Sequence, residues 1–367
     1  MKISVISFTG NGIQLSKKLA DVWEHLQTQA GWEELILFTK CSAASGTGDT
    51  DKSKLHSVSY VETGIEEWAG QQMRERNILL FIGACGIAVR AIAPHLTDKL
   101  HDSPVLVMDE RGKYVIPILS GHVGGANDVA HRIAKVMGAV PVITTATDIN
   151  HKFAVDIFAK ANELSIINKE GIAKVSSKVL AGKDITISIE TGHIREDCGL
   201  PAGVHRIPYP PRQSVDVAVT SEERNFDAAI LLRPREYVIG MGCRRGKETE
   251  KIEAFILRSM REAGIETEQL LALASIEQKK EEQGFLSWSR KNQVPFVTYT
   301  AEQLKETEGE FHTSDFVMKK MGVDNVCERA ALRACGASGR IVYAKHAEDG
   351  MTIAIARREW SVSFDEE

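Results

Sequence analysis

No apolar run in the 367 residues approaches the ~20 needed to span a bilayer as a helix. The N-terminal stretch Lys2 to Phe8 is too short for a signal peptide, and Gly10 and Gly12 break it. Cysteine is sparse and scattered. The six thiols at 41, 85, 198, 243, 327 and 335 form no CxxC pair and no zinc-finger or iron–sulfur spacing. A long chain with such thiols reads as reduced and cytoplasmic. The eleven histidines contain no H-x3-H pair and no HExxH, so a resident catalytic metal is not expected. An excess of positive charge is lacking too: 45 Lys and Arg face 50 Asp and Glu, a net charge of −5. Neither nucleic acid nor an anionic membrane is drawn by such a balance.

Nucleotide fingerprints are also missing. Gly240-Met241-Gly242-Cys243-Arg244-Arg245-Gly246-Lys247 is glycine-rich, but Glu248 follows Lys247 where a P-loop has Ser or Thr. Arg245 stands where the dinucleotide pattern has a small residue. The loop is basic, and Arg244 and Lys247 can hold an organic polyanion.

What is present is 43% hydrophobic residues, enough for several cores, which rules out wholesale disorder. Strand and helix patterns alternate from Lys2 to Thr144, predicting an open α/β domain over 1–150. Clustered prolines (Pro201, Pro208, Pro210, Pro211) and short strands mark a small middle domain over 151–233. A second strand–helix series from Tyr237 predicts a C-terminal α/β domain over 234–367. Gly10-Asn11-Gly12 reads as a turn before a helix from Ile13, and one long helix is expected from Glu277 to Lys291.

The densest chemistry lies in Leu119-Ser120-Gly121-His122-Val123-Gly124-Gly125-Ala126-Asn127-Asp128. A strand delivers the chain to a glycine turn that opens a helix, and helix starts present free N–H groups suited to carboxylates. His122 can move protons near neutral pH. An ordinary tight turn needs the same glycines, so the pattern alone leaves both readings open. Phe81 to Arg90 repeats the strand–turn–helix plan, with Arg90 one turn into the helix as a carboxylate clamp or a plain surface arginine. Thr144 and Thr145 lead to Asp148 after the next strand, where α/β sheets gather ligands or where a helix is simply capped. Asp109 and Glu110 share a hairpin tip; adjacent strand carboxylates point to opposite faces. Glu328 opens an alanine-rich helix, a favoured place for a carboxylate on dipole grounds alone. Ser275 to Lys279 and Ala344 to His346 follow strands and are expected at a sheet edge.

These motifs together resemble a known family. GACGIAVRAIAP, VMDERGKYVIPILSGHVGGAN and ITTATD in the first part, with VIGMGCRRGK, SIEQKKEEQG, VCERAAL and TIAIARR in the last, are similar to the cobalt-precorrin-5A hydrolases of anaerobic cobalamin biosynthesis. The resemblance covers essentially the whole chain. It implies a cobalt-bearing contracted tetrapyrrole as substrate, a δ-lactone opened by water, and acetaldehyde as product. Cobalt then arrives inside the substrate and no cofactor is needed. The implied partners are the corrinoid intermediate and, at hand-over, neighbouring pathway enzymes. A polycarboxylate substrate wants arginines and helix N-termini, and an acidic protein then needs a locally basic cleft. His122 as base with Asp109 or Asp148 as orienter, and Gly124 and Gly125 as oxyanion donors, form the expected machinery. Arg90, Ser120, Asn127, Thr144, Thr145, Arg244, Lys247 and Glu328 are expected to touch substrate. A non-catalytic tetrapyrrole carrier is the alternative, and a nucleotide-dependent ligase or transferase is a weaker one because the phosphate fingerprints are missing.

Overall fold

The computed structural model describes residues 2–23, 34–42, 57–97, 102–121, 124–145, 152–195, 199–223, 226–313 and 315–364. The chain divides into two compact units, Met1–Lys152 and Phe153–Glu367.

The first unit is a sheet of seven strands with helices on both faces. Its elements are β1 (Lys2–Ser7), α1 (Gly10–Asp21), β2 (Glu34–Thr39), β3 (Val58–Tyr60), α2 (Ile65–Arg74), β4 (Ile78–Ile82), α3 (Cys85–Ile92), β5 (Val105–Met108), β6 (Tyr114–Leu119), α4 (Ala126–Met137) and β7 (Val140–Pro141). The strand order is β3-β2-β1-β4-β5-β6-β7. Strand β4, ILLFI, is buried along its whole length, as a central parallel strand covered on both faces must be. Ile78, Leu80 and Ile82 pack on one side with Ala130 and Ile133 of α4. Leu79 and Phe81 pack on the other with Trp68 of α2, whose ring meets Phe81 edge-on at 5.8 Å.

Strand direction matters for everything that follows. Strands β1 to β5 run parallel, but β5 and β6 form an antiparallel hairpin, with Val105 opposite Leu119 and Met108 opposite Val115. β7 then runs parallel to β6. Residues following β4 and β5 therefore lie at one edge of the sheet, and those following β6 and β7 at the other. The expected turn at Gly10–Gly12 is instead the first turn of α1. Thr9 caps it by accepting from Gly12 N at 3.1 Å, and Gly12 packs so close to Ser7 that a Cβ would lie 3.0 Å from it.

The second unit carries two sheets. The first comprises α5 (Val155–Ala161), β8 (Leu164–Ile166), α6 (Glu170–Leu180), β9 (Ile185–Ile189), β10 (Val204–Ile207), β11 (Val215–Val219) and β12 (Ala228–Pro234), in strand order β10-β9-β11-β12-β8. The second comprises β13 (Tyr237–Cys243), α7 (Thr249–Ala263), β14 (Leu270–Ile276), α8 (Gln283–Asn292), β15 (Phe296–Tyr299), α9 (Ala301–Lys305), α10 (Asp315–Met321), α11 (Cys327–Cys335), β16 (Arg340–Glu348) and β17 (Met351–Arg357), in order β15-β14-β13-β17-β16. The long helix expected over 277–291 is interrupted: a 3-10 turn at Glu277–Lys279 precedes α8, and a buried Lys279–Glu282 pair at 2.7 Å lies between them. Helix α11 lies directly on β13, because at Gly240 a Cβ would stand 1.8 Å from the carbonyl oxygen of Cys327. Only glycine permits that approach.

Candidate active site

The expected site residues fall into three places. At the carboxyl edge of β1, β4 and β5 stand Thr9, Arg90 and the Asp109–Glu110 tip. Arg90 is exposed and folds back on its own helix, donating Nη1 to the carbonyl of Gly86 at 3.2 Å. Asp109 accepts from the backbone N–H groups of Arg111, Lys113 and Tyr114 at 2.9, 2.9 and 2.6 Å, which organises the hairpin turn. Glu110 accepts from Thr9 Oγ1 at 2.7 Å, tying the turn to the start of α1.

At the opposite edge, the Ser120–Asn127 turn and Thr144–Thr145 come together. Ser120 adopts the left-handed conformation (φ 54°) and donates Oγ to the carbonyl of Asp102 at 2.8 Å. Ala126 N and Asn127 N donate to the carbonyls of Ser120 and Gly121, and Asn127 Nδ2 donates to Thr145 Oγ1 at 3.0 Å. Gly124 lies so close to Ser120 that a Cβ would sit 2.4 Å from that residue's own Cβ. The glycines are thus demanded by the turn itself. His122 and Asp148 lie outside the described residues.

The structure does not bring Asp109 or Arg90 to the Ser120–Asn127 edge. Strand β6, six residues long at ~3.3 Å per residue, puts roughly 20 Å between them. The expectation that Asp109 orients a base in the 120–127 turn is corrected by that direction reversal.

The third place is a cavity of about 1110 Å³ in the second unit, larger than the ~300–1,000 Å³ usual for small-molecule sites. It opens at the carboxyl ends of β13, β14 and β16, beside the switch in strand order between β13 and β17, where α/β sheets bind ligands. Thr249, Gln283 and Cys327, the first residues of α7, α8 and α11, all line it. Three helix N-termini therefore converge on one cavity, each with the positive end of its dipole directed there.

Both expected basic residues are in its wall. Arg244 lies over Gly350, and Lys247 donates Nζ to the carbonyl and carboxylate of Asp349 at 2.7 and 2.6 Å. The Asp349 carboxyl is held below its usual range by Lys247. Lys279 donates to Glu282, and Gly246 N donates to the other oxygen of that carboxylate at 3.0 Å, fixing the basic loop. Burial pushes the Cys243 thiol up to about 11, so it stays protonated and is no nucleophile at neutral pH. The wall carries six Lys or Arg and six Asp or Glu side chains, so the expectation of a formally basic cleft is corrected. Its positive character comes from helix ends.

Glu328 does not line the cavity. Its buried carboxylate accepts from His312, Asn325 and Lys345, and the latter two do line it. His312 was not singled out by its sequence context, and no role was assigned to Asn325 or to Lys279 beyond its place at a sheet edge. His312 lies in a polar stretch without motif spacing, and only the fold joins it to Glu328, sixteen residues on. Among the described residues no group of three or more His, Cys, Asp or Glu is placed to hold a metal ion, and no helix is long and apolar enough to cross a membrane.

Comparison with known proteins follows the same two-unit division. Residues 67–148 match the family described as Cobalamin synthesis G N-terminal, and residues 237–356 match Cobalamin synthesis G C-terminus. The chain is thus a G-type protein of cobalamin synthesis. It is 31% identical over 369 residues to the cobalt-precorrin-5A hydrolase of Salmonella typhimurium, covering 96% of this chain and 97% of that protein. It is 32% identical over 372 residues to the protein of the same name from Priestia megaterium, covering 96% and 94%. The chain belongs to the cobalt-precorrin-5A hydrolase family. A cobalamin biosynthesis protein G homolog from Sulfolobus solfataricus, 20% identical, aligns over 98% of this chain and 97% of its own with a TM-score of 0.40.

Proposed function

We propose that the chain opens the δ-lactone of a cobalt-bearing contracted tetrapyrrole with water and releases a two-carbon unit as acetaldehyde, in the anaerobic route to cobalamin. The observation that carries this reading is the cavity at the carboxyl edge of the second unit. Val317 and Met321, half-buried in its wall, offer apolar surface to a macrocycle face. The N-termini of α7, α8 and α11, with Arg244, Arg245 and Lys280, suit its acetate and propionate groups.

In the reaction, water adds to the lactone carbonyl carbon and the ring C–O bond breaks. The released alkoxide collapses to acetaldehyde, and the electron pair of the broken C–C bond stays on the macrocycle. Cobalt enters as part of the substrate. His122 is the proposed proton acceptor, with the N–H groups of Gly124 and Gly125 as oxyanion donors. His122→Asn is expected to bind substrate while turnover falls by ~10²–10⁴.

The test is purified protein given the cobalt lactone intermediate, with acetaldehyde measured as it forms. Release without added nucleotide or metal is expected. Retention of unchanged substrate would instead mark a carrier, and release that depends on ATP would mark a ligase.

A further inference from the structure

The second unit holds another cavity, of about 390 Å³, where its two sheets meet. Gly192 and His193, in the loop after β9, face Arg340 at the start of β16 and Arg357 and Arg358 at the end of β17. In the first sheet β9 pairs in parallel with β10 on one side and with β11 on the other, so the strand order turns back there. A crevice beyond the carboxyl end of such a strand is where α/β sheets take ligands. Glu190 fixes the loop, accepting from Ser221 N at 2.7 Å and from Thr220 Oγ1 at 2.9 Å. His193 lies flat on Trp360, with ring centroids 4.0 Å apart.

The C-terminal sheet brings charge to this crevice. Arg340 and Arg357 are register partners on the antiparallel strands β16 and β17, so their side chains leave the same face of the sheet. Like charges placed directly opposite one another are destabilising. The buried Glu236 carboxylate answers one of them, accepting Arg357 Nε at 2.7 Å. Among the described residues no hydrogen bond or ion pair engages the Arg340 guanidinium, and no hydrogen bond uses Arg357 Nη1 or Nη2. Arg358 is committed to Glu163 and to the Arg235 carbonyl. Two adjacent guanidinium groups with donors to spare form a fork for the oxygens of an anion. At about 30 Å³ for each water-sized group the cavity has room for roughly a dozen, more than an inorganic ion fills. The tetrapyrrole cavity opens at the other end of β13, and that strand, seven residues at ~3.3 Å each, sets the two roughly 20 Å apart.

We propose that this cavity binds a small organic dianion, a dicarboxylate or a phosphate ester, between the Arg340 and Arg357 guanidinium groups. The site stands apart from the hydrolase reading. Its ligand bridges two like charges and ties the loop after β9 to the C-terminal sheet, so occupancy stabilises the folded chain.

The test uses the full-length protein at low salt, with succinate and glycerol 3-phosphate as probes and succinamide as the uncharged control. Calorimetric titration should show saturable binding of at least one dianion and none of succinamide, with a matching rise in melting temperature. Arg340→Gln, at an exposed position, should melt no lower than the wild type without ligand, because a like-charge neighbour is removed. It should weaken dianion binding by about 10–100-fold. Arg357→Lys keeps a charge beside Glu236 but loses the fork, and should weaken binding as well. Arg244→Gln, in the wall of the tetrapyrrole cavity, should leave the dianion affinity unchanged. Failure of both dianions to bind the wild type, equal binding of succinamide, or affinity that survives Arg340→Gln overturns the site. Affinity lost in Arg244→Gln places the dianion in the tetrapyrrole cavity and overturns it too. Acetaldehyde release enters none of these readouts, so the hydrolase reading stands or falls separately.

Discussion

Asp109 and Ser120 stand at opposite edges of the same sheet, although eleven residues separate them in sequence. Each follows a strand, β5 and β6, and the two strands are antiparallel neighbours. The rule that ligands gather beyond carboxyl ends of strands therefore selects two places in this unit, and residues chosen by that rule are sorted by strand direction. Thr9, Arg90 and Glu110 share one edge; Ser120, Asn127 and Thr145 share the other.

The first prediction concerns Asp109. Its carboxylate accepts three backbone N–H groups of its own turn, so Asp109→Ala leaves those donors without their acceptor. A loss of about 1–3 kcal/mol in stability is expected. On the proposed reaction, acetaldehyde release per folded molecule should stay at the wild-type value. Urea unfolding beside turnover normalised to folded protein checks both. A large fall in the normalised rate would return Asp109 to the reaction.

Much of the fold was legible. The apolar runs at 78–82 and 237–241 are buried strands because no polar residue interrupts them. Of the elements that were missed, three have a clear physical reason. Helix α2 has only Ile65, Trp68, Ala69 and Met73 as apolar residues, and Gly70 breaks the stripe. Helix α6 and strand β11 are short segments whose pattern competes with flanking glycines and prolines. Candidate site positions were legible where they follow a strand, as Arg244 and Ser120 do. His312 was not, since its significance comes from Glu328, and only the packing of α11 beside β16 joins them.

The second prediction tests that packing. A Cβ at residue 240 would overlap the Cys327 carbonyl at 1.8 Å and crowd Ala331 N at 2.8 Å, both backbone atoms that cannot swing away. Gly240→Ala must push α11 off β13. The expected cost is roughly 1–3 kcal/mol or more. The wall formed by Val326 and Cys327 should open with it, so corrinoid binding weakens as well. Gly138→Ala, where nothing lies within 4 Å but φ is +66°, is the control. It should cost stability through backbone strain while corrinoid affinity is kept.

Acid should loosen the second unit through two carboxylates, Glu328 and Asp216. Both are held below their usual range. Glu328 is hydrogen-bonded by His312 and Lys345; Asp216 accepts from Lys178 at 2.7 Å and from Thr186 N at 2.8 Å. A depressed folded-state pKa means the folded chain binds fewer protons than the unfolded one. The stabilisation is then complete above the unfolded value, ~4, and is lost as pH falls through the folded one. Melting temperature followed from pH 7 to pH 2 should fall steeply below about pH 4.5. In Asp216→Asn the acid slope should be shallower, and neutral stability lower. An unchanged slope would show that Asp216 keeps its ordinary titration.

The last prediction concerns how far the C-terminal sheet stands alone. A fragment starting at Arg235 keeps all of β13 to β17 with both of their core clusters, including Phe255, Trp288 and Ile355 on one face and Val238, Ala331 and Val326 on the other. That is a sufficient core for cooperative folding. The chain end, however, is bound to the preceding segment. Val362 pairs with Ile194, and its N–H donates to the His193 carbonyl at 2.9 Å. Ser363 exchanges hydrogen bonds with Asn162 at 2.7 and 2.9 Å, and Phe364 stacks on Phe158 at 4.8 Å. Arg235 itself donates Nε to Ser165 Oγ at 2.9 Å, and Arg358 pairs with Glu163. All of these partners are removed by a cut at 235. The fragment 235–367 should therefore give one cooperative melt at a lower temperature than 153–367. Deleting residues 360–364 should destabilise 153–367 markedly and 235–367 hardly at all, because only the longer chain contains what the tail binds. Equal losses in the two fragments would mean that the tail stabilises the C-terminal sheet directly. A molten 235–367 would show that β8 to β12 are part of the same folding unit.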